Sequence, residues 1–219
     1  ERKLTRQEMS RPIAAAPYSL NRLNKAKELA DMEIEVLSSK SDRPALLLYC
    51  MDSRDYSTIE TVRGYGWFTT DQIEWLRNSC MARTEANGGI SVPSLAFFHI
   101  CLQEYAQAWN NPKNSRKGKR AEDECPGALN TGMFAAMVES GSVMGTFVGH
   151  DHDNDYVVAE KGIALGYGRF SGDDSTYNNL RPGARIIVVE EGQRCFESWI
   201  LEDDGRIAHR MKFSNGKIE

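Results

Sequence analysis

The chain has 219 residues, 41% of them apolar and 26% charged, with a formal net charge of −4. That is enough for one domain with a sizeable core, and the mild acidity excludes the basic footprint of a nucleic-acid binder. No apolar run approaches the roughly 20 residues of a membrane-spanning helix, and no signal-peptide pattern is visible.

Residues 1 to 30 are polar. Thr5-Arg6-Gln7-Glu8 has the hydroxyl-to-glutamate spacing of a capping box, so a short helix is predicted there. Pro12 and Pro17 interrupt the pattern and turn the chain into a surface excursion. In residues 33–37, Ile34 and Val36 alternate with Glu33 and Glu35, the pattern of a half-buried strand. A turn at Ser39-Lys40-Ser41-Asp42 leads to an apolar run over 45–50, which completes a hairpin whose second strand enters the core.

Asp52-Ser53-Arg54-Asp55-Tyr56 caps that strand, and Gly64-Tyr65-Gly66-Trp67 reads as a loop. A helix then starts at Thr70-Asp71, with Ile73 and Leu76 on one side, and ends over residues 85–89. A buried strand is predicted over 93–100, with His99 near its end, and a short helix over 103–109. Residues 113–120 form a basic cluster followed at once by Glu122-Asp123-Glu124. The charge balance favours a solvated, mobile loop over a polyanion-binding patch.

Leu129, Met133, Ala136 and Met137 fall at helical spacing and predict a helix over 129–140. Strands follow over 143–148, 163–167, 185–190, 194–201 and 206–213. Glu191-Gly192 and Asp203-Asp204-Gly205 are the hairpin turns of the last three. The order implies an α/β layered sandwich with an antiparallel C-terminal meander. The five cysteines, Cys50, Cys80, Cys101, Cys125 and Cys195, are odd in number, widely spaced and without C-x-x-C. A disulfide framework or Cys-rich zinc site is therefore not supported, and Cys50 and Cys101 read as buried thiols.

Two of the four histidines lie in Gly149-His150-Asp151-His152, where a strand ends and the polar turn Asp153-Asn154-Asp155-Tyr156 begins. In extended backbone, residues i and i+2 point the same way, so both imidazoles are expected to face one point. His99 ends another predicted strand, and ligands collect at strand carboxyl ends in α/β sheets. A cluster of His99, His150 and His152 is the metal-site reading, since imidazole suits zinc, iron, nickel and copper. Solvated loop histidines and a satisfied core His99 are the plain alternative. His209, in an alternating tail strand, is left out.

Leu95 to Ile100 with Glu104-Tyr105, Asn130-Thr131-Gly132-Met133-Phe134, Phe147 to Asp155 and Gly166 to Gly172 together resemble the calcineurin-like metallophosphoesterases. The similarity is to the purple-acid-phosphatase-related branch that carries G-H-D-H-x-N-D, and residues 52–57 and 64–67 fit it as well. The resemblance implies a layered β-sandwich flanked by helices and a binuclear centre of iron, zinc or manganese. There a metal-bound hydroxide attacks a phosphate ester on a small molecule or phosphoprotein. It implies His99 and His150 as ligands of one metal and His152 of the other. Asp151, Asn154 and Asp155 would orient ligands or line the substrate pocket. Tyr167 and Arg169 would form the pocket wall or hold phosphate, with a structural salt bridge as the other role for Arg169. Relatives of that branch include secreted and periplasmic proteins, which implies an extracytoplasmic setting ahead of a cytoplasmic one.

The family's opening motifs, D-x-H, G-D-x-x-D and G-N-H-D or G-N-H-E, do not occur, and no histidine precedes His99. The resemblance would place the third of them just before a segment like Arg2-Lys3-Leu4-Thr5-Arg6. Residues 1–219 are thus expected to be a single metallophosphoesterase-like domain lacking its N-terminal half. The Glu1 start, in place of Met, agrees. Such a piece is expected to hold at most one ion weakly, to leave a sheet edge open and to be catalytically dead alone, with no confident catalytic residue of its own. Its oligomeric state is not legible.

Overall fold

A computed structural model describes residues 4–172 and 176–219. Arg2 and Lys3, part of the segment expected to follow the third family motif, lie outside the described residues. Helix α1 (Arg6–Ala15) is capped by Thr5 and Glu8, which bond each other's backbone N–H groups as the capping box requires. It lies near the sheet edge and is tied down by Arg6, which pairs with Asp52 and lies 3.5 Å from Glu28.

The hairpin of β1 (Met32–Leu37) and β2 (Pro44–Cys50) opens a seven-stranded mixed sheet. Helix α2 (Thr70–Ala86) is capped by Thr69 and Gln72 and buries Gln72, Ile73, Leu76 and Cys80, one helical face. After it come β3 (Ser94–Phe97), α3 (Glu104–Asn110), β4 (Arg116–Lys117), α4 (Met133–Ser140) and β5 (Val143–Val148). Strands β6 (Val157–Glu160) and β7 (Ile163–Tyr167) form a hairpin over Lys161 and Gly162, both at positive φ, as a two-residue primed turn demands. The sheet order is β1-β2-β3-β5-β7-β6-β4, and β2, β3, β5 and β7 run parallel.

The meander β8 (Gly183–Val189), β9 (Phe196–Glu202), β10 (Ile207–Ser214) and β11 (Lys217–Ile218) is a separate antiparallel sheet. Its turns fall where the glycines of residues 191–192 and 203–205 predict. It covers one face of the large sheet through Leu95, Met144, Phe147, Phe196, Met211 and Phe213. The helices cover the other face, around Leu47, Tyr49, Leu76, Ala96, Tyr105 and Met137. Both faces of β3 and β5 are therefore dry, which is why these strands read as unbroken apolar runs. The α/β class and the antiparallel tail hold. β1 and β8 end their sheets, with Leu37 and Val188 exposed.

Four local expectations are corrected. Residues 129–132 precede the helix instead of starting it, because Gly132 is left-handed at φ 94 and its N–H bonds Asn130 Oδ1. Strand β6 is an addition, too short for its period to show. The basic stretch is not a free loop: β4 pairs with β6, and Arg120 binds Asp123 and Glu124. Cys50 is only half-buried, whereas Cys101 is buried.

Candidate functional site

Parallel β3 and β5 lie side by side, so the loops leaving their carboxyl ends meet. His99 follows β3, and its backbone is held from two directions. Ser53 Oγ accepts the N–H groups of His99 and Ile100 at 3.2 and 2.8 Å, and Gly149 N–H donates to the His99 carbonyl at 3.0 Å. Gly149 is needed for close approach: a Cβ there would sit 3.3 Å from His99 Nδ1.

His150 follows with φ 71, and Asp151 N–H bonds the Gly149 carbonyl at 2.9 Å across it. That is a γ-type turn, a strained conformation for a residue with a Cβ, of the kind that costs about 1–3 kcal/mol and clusters at functional sites. The turn aims His150 at His99. His150 Nδ1 lies 3.3 Å from His99 Nε2, with the rings at 79°. Tyr65 packs its ring against His150 at 88° and 4.5 Å and stacks on exposed Tyr56 at 5.2 Å, so an aromatic wall holds the imidazole from outside.

The nitrogen separation is informative. Two imidazoles on one tetrahedral ion, with metal–nitrogen bonds of about 2.0–2.1 Å, have nitrogens about 3.3–3.4 Å apart. A single His–His hydrogen bond spans the same gap. Partial desolvation, then the neighbouring His150 and His152, lower the pKa of His99, which keeps its ring neutral and its lone pair available.

His152 does not join the pair as extended backbone would dictate. The left-handed His150 breaks the two-residue alternation, and His152 lies exposed with its ring stacked near Phe170 at 6.4 Å. Among the described residues, no group of three or more His, Cys, Asp or Glu side chains gathers closely enough to hold a metal ion. The donor set fits half the coordination sphere of one ion and does not fit a binuclear centre.

The remaining candidates form the support beneath the pair. Asp151 is buried and accepts the Tyr167 hydroxyl at 2.6 Å and Cys125 N–H at 3.3 Å. Tyr167 is itself fully buried, so it stands under the site and is no pocket wall. Asn154 Oδ1 accepts the N–H groups of Ala121 and Glu122, and Asp155 accepts Lys119 N–H at 2.6 Å. The Arg169 side chain is 2% exposed and ion-paired with Asp155, with Nη1 on the Arg181 carbonyl at 2.6 Å. That is a structural salt bridge, and Arg169 also lines the trough beside His99. Arg185 is partly buried alongside; desolvation lowers its pKa to about 10, against the pull of Asp155.

Three contributors escaped the sequence reading. Ser53 and Tyr65 lie in loops that only the fold brings to the histidines. His209, set aside above, sits at φ 53 in a β10 irregularity with Nε2 3.6 Å from Asp155 Oδ2. An open trough of ≈ 590 Å³ runs from His99 past Phe97 and Phe147 to Gly183 and Ile187 on β8.

No family model matches the chain. Among curated proteins of Arabidopsis thaliana, it is 30% identical over 218 residues to "Probable inactive purple acid phosphatase 29", covering 91% of this chain and 55% of that one. It is 29% identical over 166 residues to "Probable inactive purple acid phosphatase 28", covering 72% and 41%. It is 28% identical over 208 residues to "Probable inactive purple acid phosphatase 14", covering 87% and 51%. The chain thus spans about half the length of the curated relatives it matches. With motifs in family order, histidines at adjacent strand ends and these relatives, the chain is related to the calcineurin-like metallophosphoesterases, and the curated proteins it resembles are purple acid phosphatase family members.

Proposed function

We propose that this chain carries the imidazole side of a metal-dependent phosphoesterase centre, with His99 and His150 as donors to one ion. The carrying observation is the 3.3 Å approach of His99 Nε2 to His150 Nδ1 at the ends of β3 and β5. A bound ion (iron, zinc or manganese) would polarise a phosphoryl oxygen and lower the pKa of a coordinated water. The residues present do the positioning: Ser53 and Gly149 fix His99, and Tyr65 and the γ-type turn fix His150. Asp151 supports the turn from below through Tyr167.

A two-metal centre holds its ions about 3.5–4 Å apart, which takes bridging carboxylates. The described residues bring none to the pair. By itself the chain therefore binds at most one ion weakly and does not turn over phosphate esters. A non-catalytic metal- or anion-binding module is the second reading, favoured by that missing carboxylate and by the word "inactive" in the relatives' names.

The test is metal content after loading with Zn²⁺ or Mn²⁺, with p-nitrophenyl phosphate hydrolysis measured in parallel. His99→Ala and His150→Ala should each abolish retained metal, and His152→Ala should leave it nearly unchanged. Metal content unaffected by the first two substitutions defeats the assignment. Metal-dependent turnover by this chain alone defeats the claim that its donor set is insufficient.

A further inference from the structure

At the rim of the histidine pair an aromatic ring is held in place with one face open. Tyr65 packs edge-on against His150, ring centroids 4.5 Å apart at 88°, and Tyr56 stacks on Tyr65 at 5.2 Å and 24°. Tyr65 is half-buried, whereas Tyr56 is 67% exposed. A ring uses one face in such a stack, so the opposite face of Tyr56 meets solvent, two ring-to-ring steps from His150. Tyr56 belongs to neither side of the hydrophobic core.

The backbone fixes the stack. Tyr56 and Tyr65 oppose each other in an antiparallel bridge, and directly opposed residues carry their side chains on one face. Ser57 N–H donates to the Gly64 carbonyl at 2.9 Å, and Gly66 N–H to the Asp55 carbonyl at 2.6 Å. On the far side Ala128 N–H donates to the Tyr65 carbonyl at 3.0 Å. Gly127 approaches so closely that a Cβ there would sit 2.4 Å from the Gly66 carbonyl oxygen. A ring already fixed in this way loses little freedom when a ligand settles on it.

We propose that Tyr56 is a substrate-binding residue whose open face stacks on an aromatic group of the phosphate ester. For the phosphoryl end, the inference rests on the metal reading of the histidine pair. The substrate class is then a phosphate ester whose alcohol part carries a planar π system, a nucleobase or an aryl ring. The phosphoryl group is common to all esters and gives a metal no means of choosing among them; a fixed ring beside the site does. An offset ring on Tyr56 continues the Tyr65–Tyr56 stack outward. Every base has a π face, so discrimination between bases is not expected from this contact.

The experiment is a ligand-observed NMR titration of the full chain, with and without Zn²⁺, using two matched pairs. Adenosine monophosphate is compared with ribose phosphate, and phenyl phosphate with glycerol phosphate. Each pair keeps the phosphate and removes the ring. The expected result is binding about five-fold tighter for the ring-bearing member of at least one pair, the low end of base–aromatic stacking. The pair that shows it names the source, because ribose holds the nucleobase away from the phosphoryl group and a single oxygen holds the phenyl ring. Tyr56→Ala should bring the ratio to one. Tyr56→Phe should keep it, since the ring and not the hydroxyl makes the contact. Equal binding within both pairs, a ratio that survives Tyr56→Ala, or a ratio lost in Tyr56→Phe overturns the proposal. Binding of inorganic phosphate, measured alongside with His99→Ala and His150→Ala, reports on the metal reading separately. If phosphate binding ignores Zn²⁺ and both histidines while the Tyr56-dependent ratio persists, the metal reading falls and the aromatic contact stands. If phosphate binding needs them and the ratio is one, the aromatic contact falls alone.

Discussion

Asp151 accepts the Tyr167 hydroxyl at 2.6 Å, so the carboxylate lying between two histidines in the sequence is anchored in the protein interior. Tyr167 stands at the end of β7, beside β5, and its bond props the loop that turns at His150. Tyr167→Phe keeps the ring and removes the donor. A buried acceptor that loses its partner costs about 1–3 kcal/mol. Urea unfolding should show a loss in that range. A change near zero would mean that the bond contributes nothing net.

Arg169 and Asp155 are a buried pair, with side chains 2% and 0% exposed. Removing one partner strands the other charge, which typically costs about 3–5 kcal/mol. Arg169→Met should therefore destabilise the chain far more than Arg210→Met, whose exposed pair with Glu197 is worth about 0–1 kcal/mol. Paired denaturation curves compare the two.

Gly149→Ala separates site geometry from stability. The new Cβ would press on the His99 ring, whose nearest atom would be 3.3 Å away, while the core remains untouched. Crowding of this kind costs about 1–3 kcal/mol, and here an exposed ring can relieve part of it by moving. The expected result is a several-fold drop in retained Zn²⁺ with a melting temperature within a few degrees of wild type. Equal loading would show that the ring position is not critical.

Glu124 provides the pH test. Burial raises its pKa, but bonds from Arg120 and the Tyr156 hydroxyl overcome this and leave it lowered. With a folded pKa below the unfolded one, the unfolded chain takes up the proton first on acidification. The contribution is present above the unfolded value of about 4.3 and is lost as pH falls through the folded pKa. Glu124→Gln should thus be less stable than wild type at pH 7, and the gap should close as the pH falls through the lowered folded pKa. A gap that stays constant with pH would rule out the carboxylate's charge as its source.

Much of the architecture was legible because it rests on local chemistry. The capping residues at Thr5 and the helix start at residue 70, the apolar runs of β2, β3 and β5, and the glycine turns of the tail each act over a few residues. Where the reading missed, a local signal was overridden. The spacing of Leu129 and Met133 suggested one helix, but left-handed Gly132 separates them. The charges of 113–120 suggested a free loop, but backbone pairing with β6 and the Arg120 ion pairs hold it.

For the site, the sequence by itself determined which chemistry is available: His99 and His150 at two strand ends, a carboxylate beside them, and no upstream histidine. Only the tertiary structure decided how they are used. Strand pairing fixes the distance between His99 and His150, because the parallel register of β3 and β5 is a contact between segments some fifty residues apart. The single left-handed residue at His150 diverts His152, and burial turns Asp151, Asp155 and Arg169 into supports. Side-chain direction, burial and long-range register belong to the folded chain as a whole, and no spacing along the sequence encodes them separately.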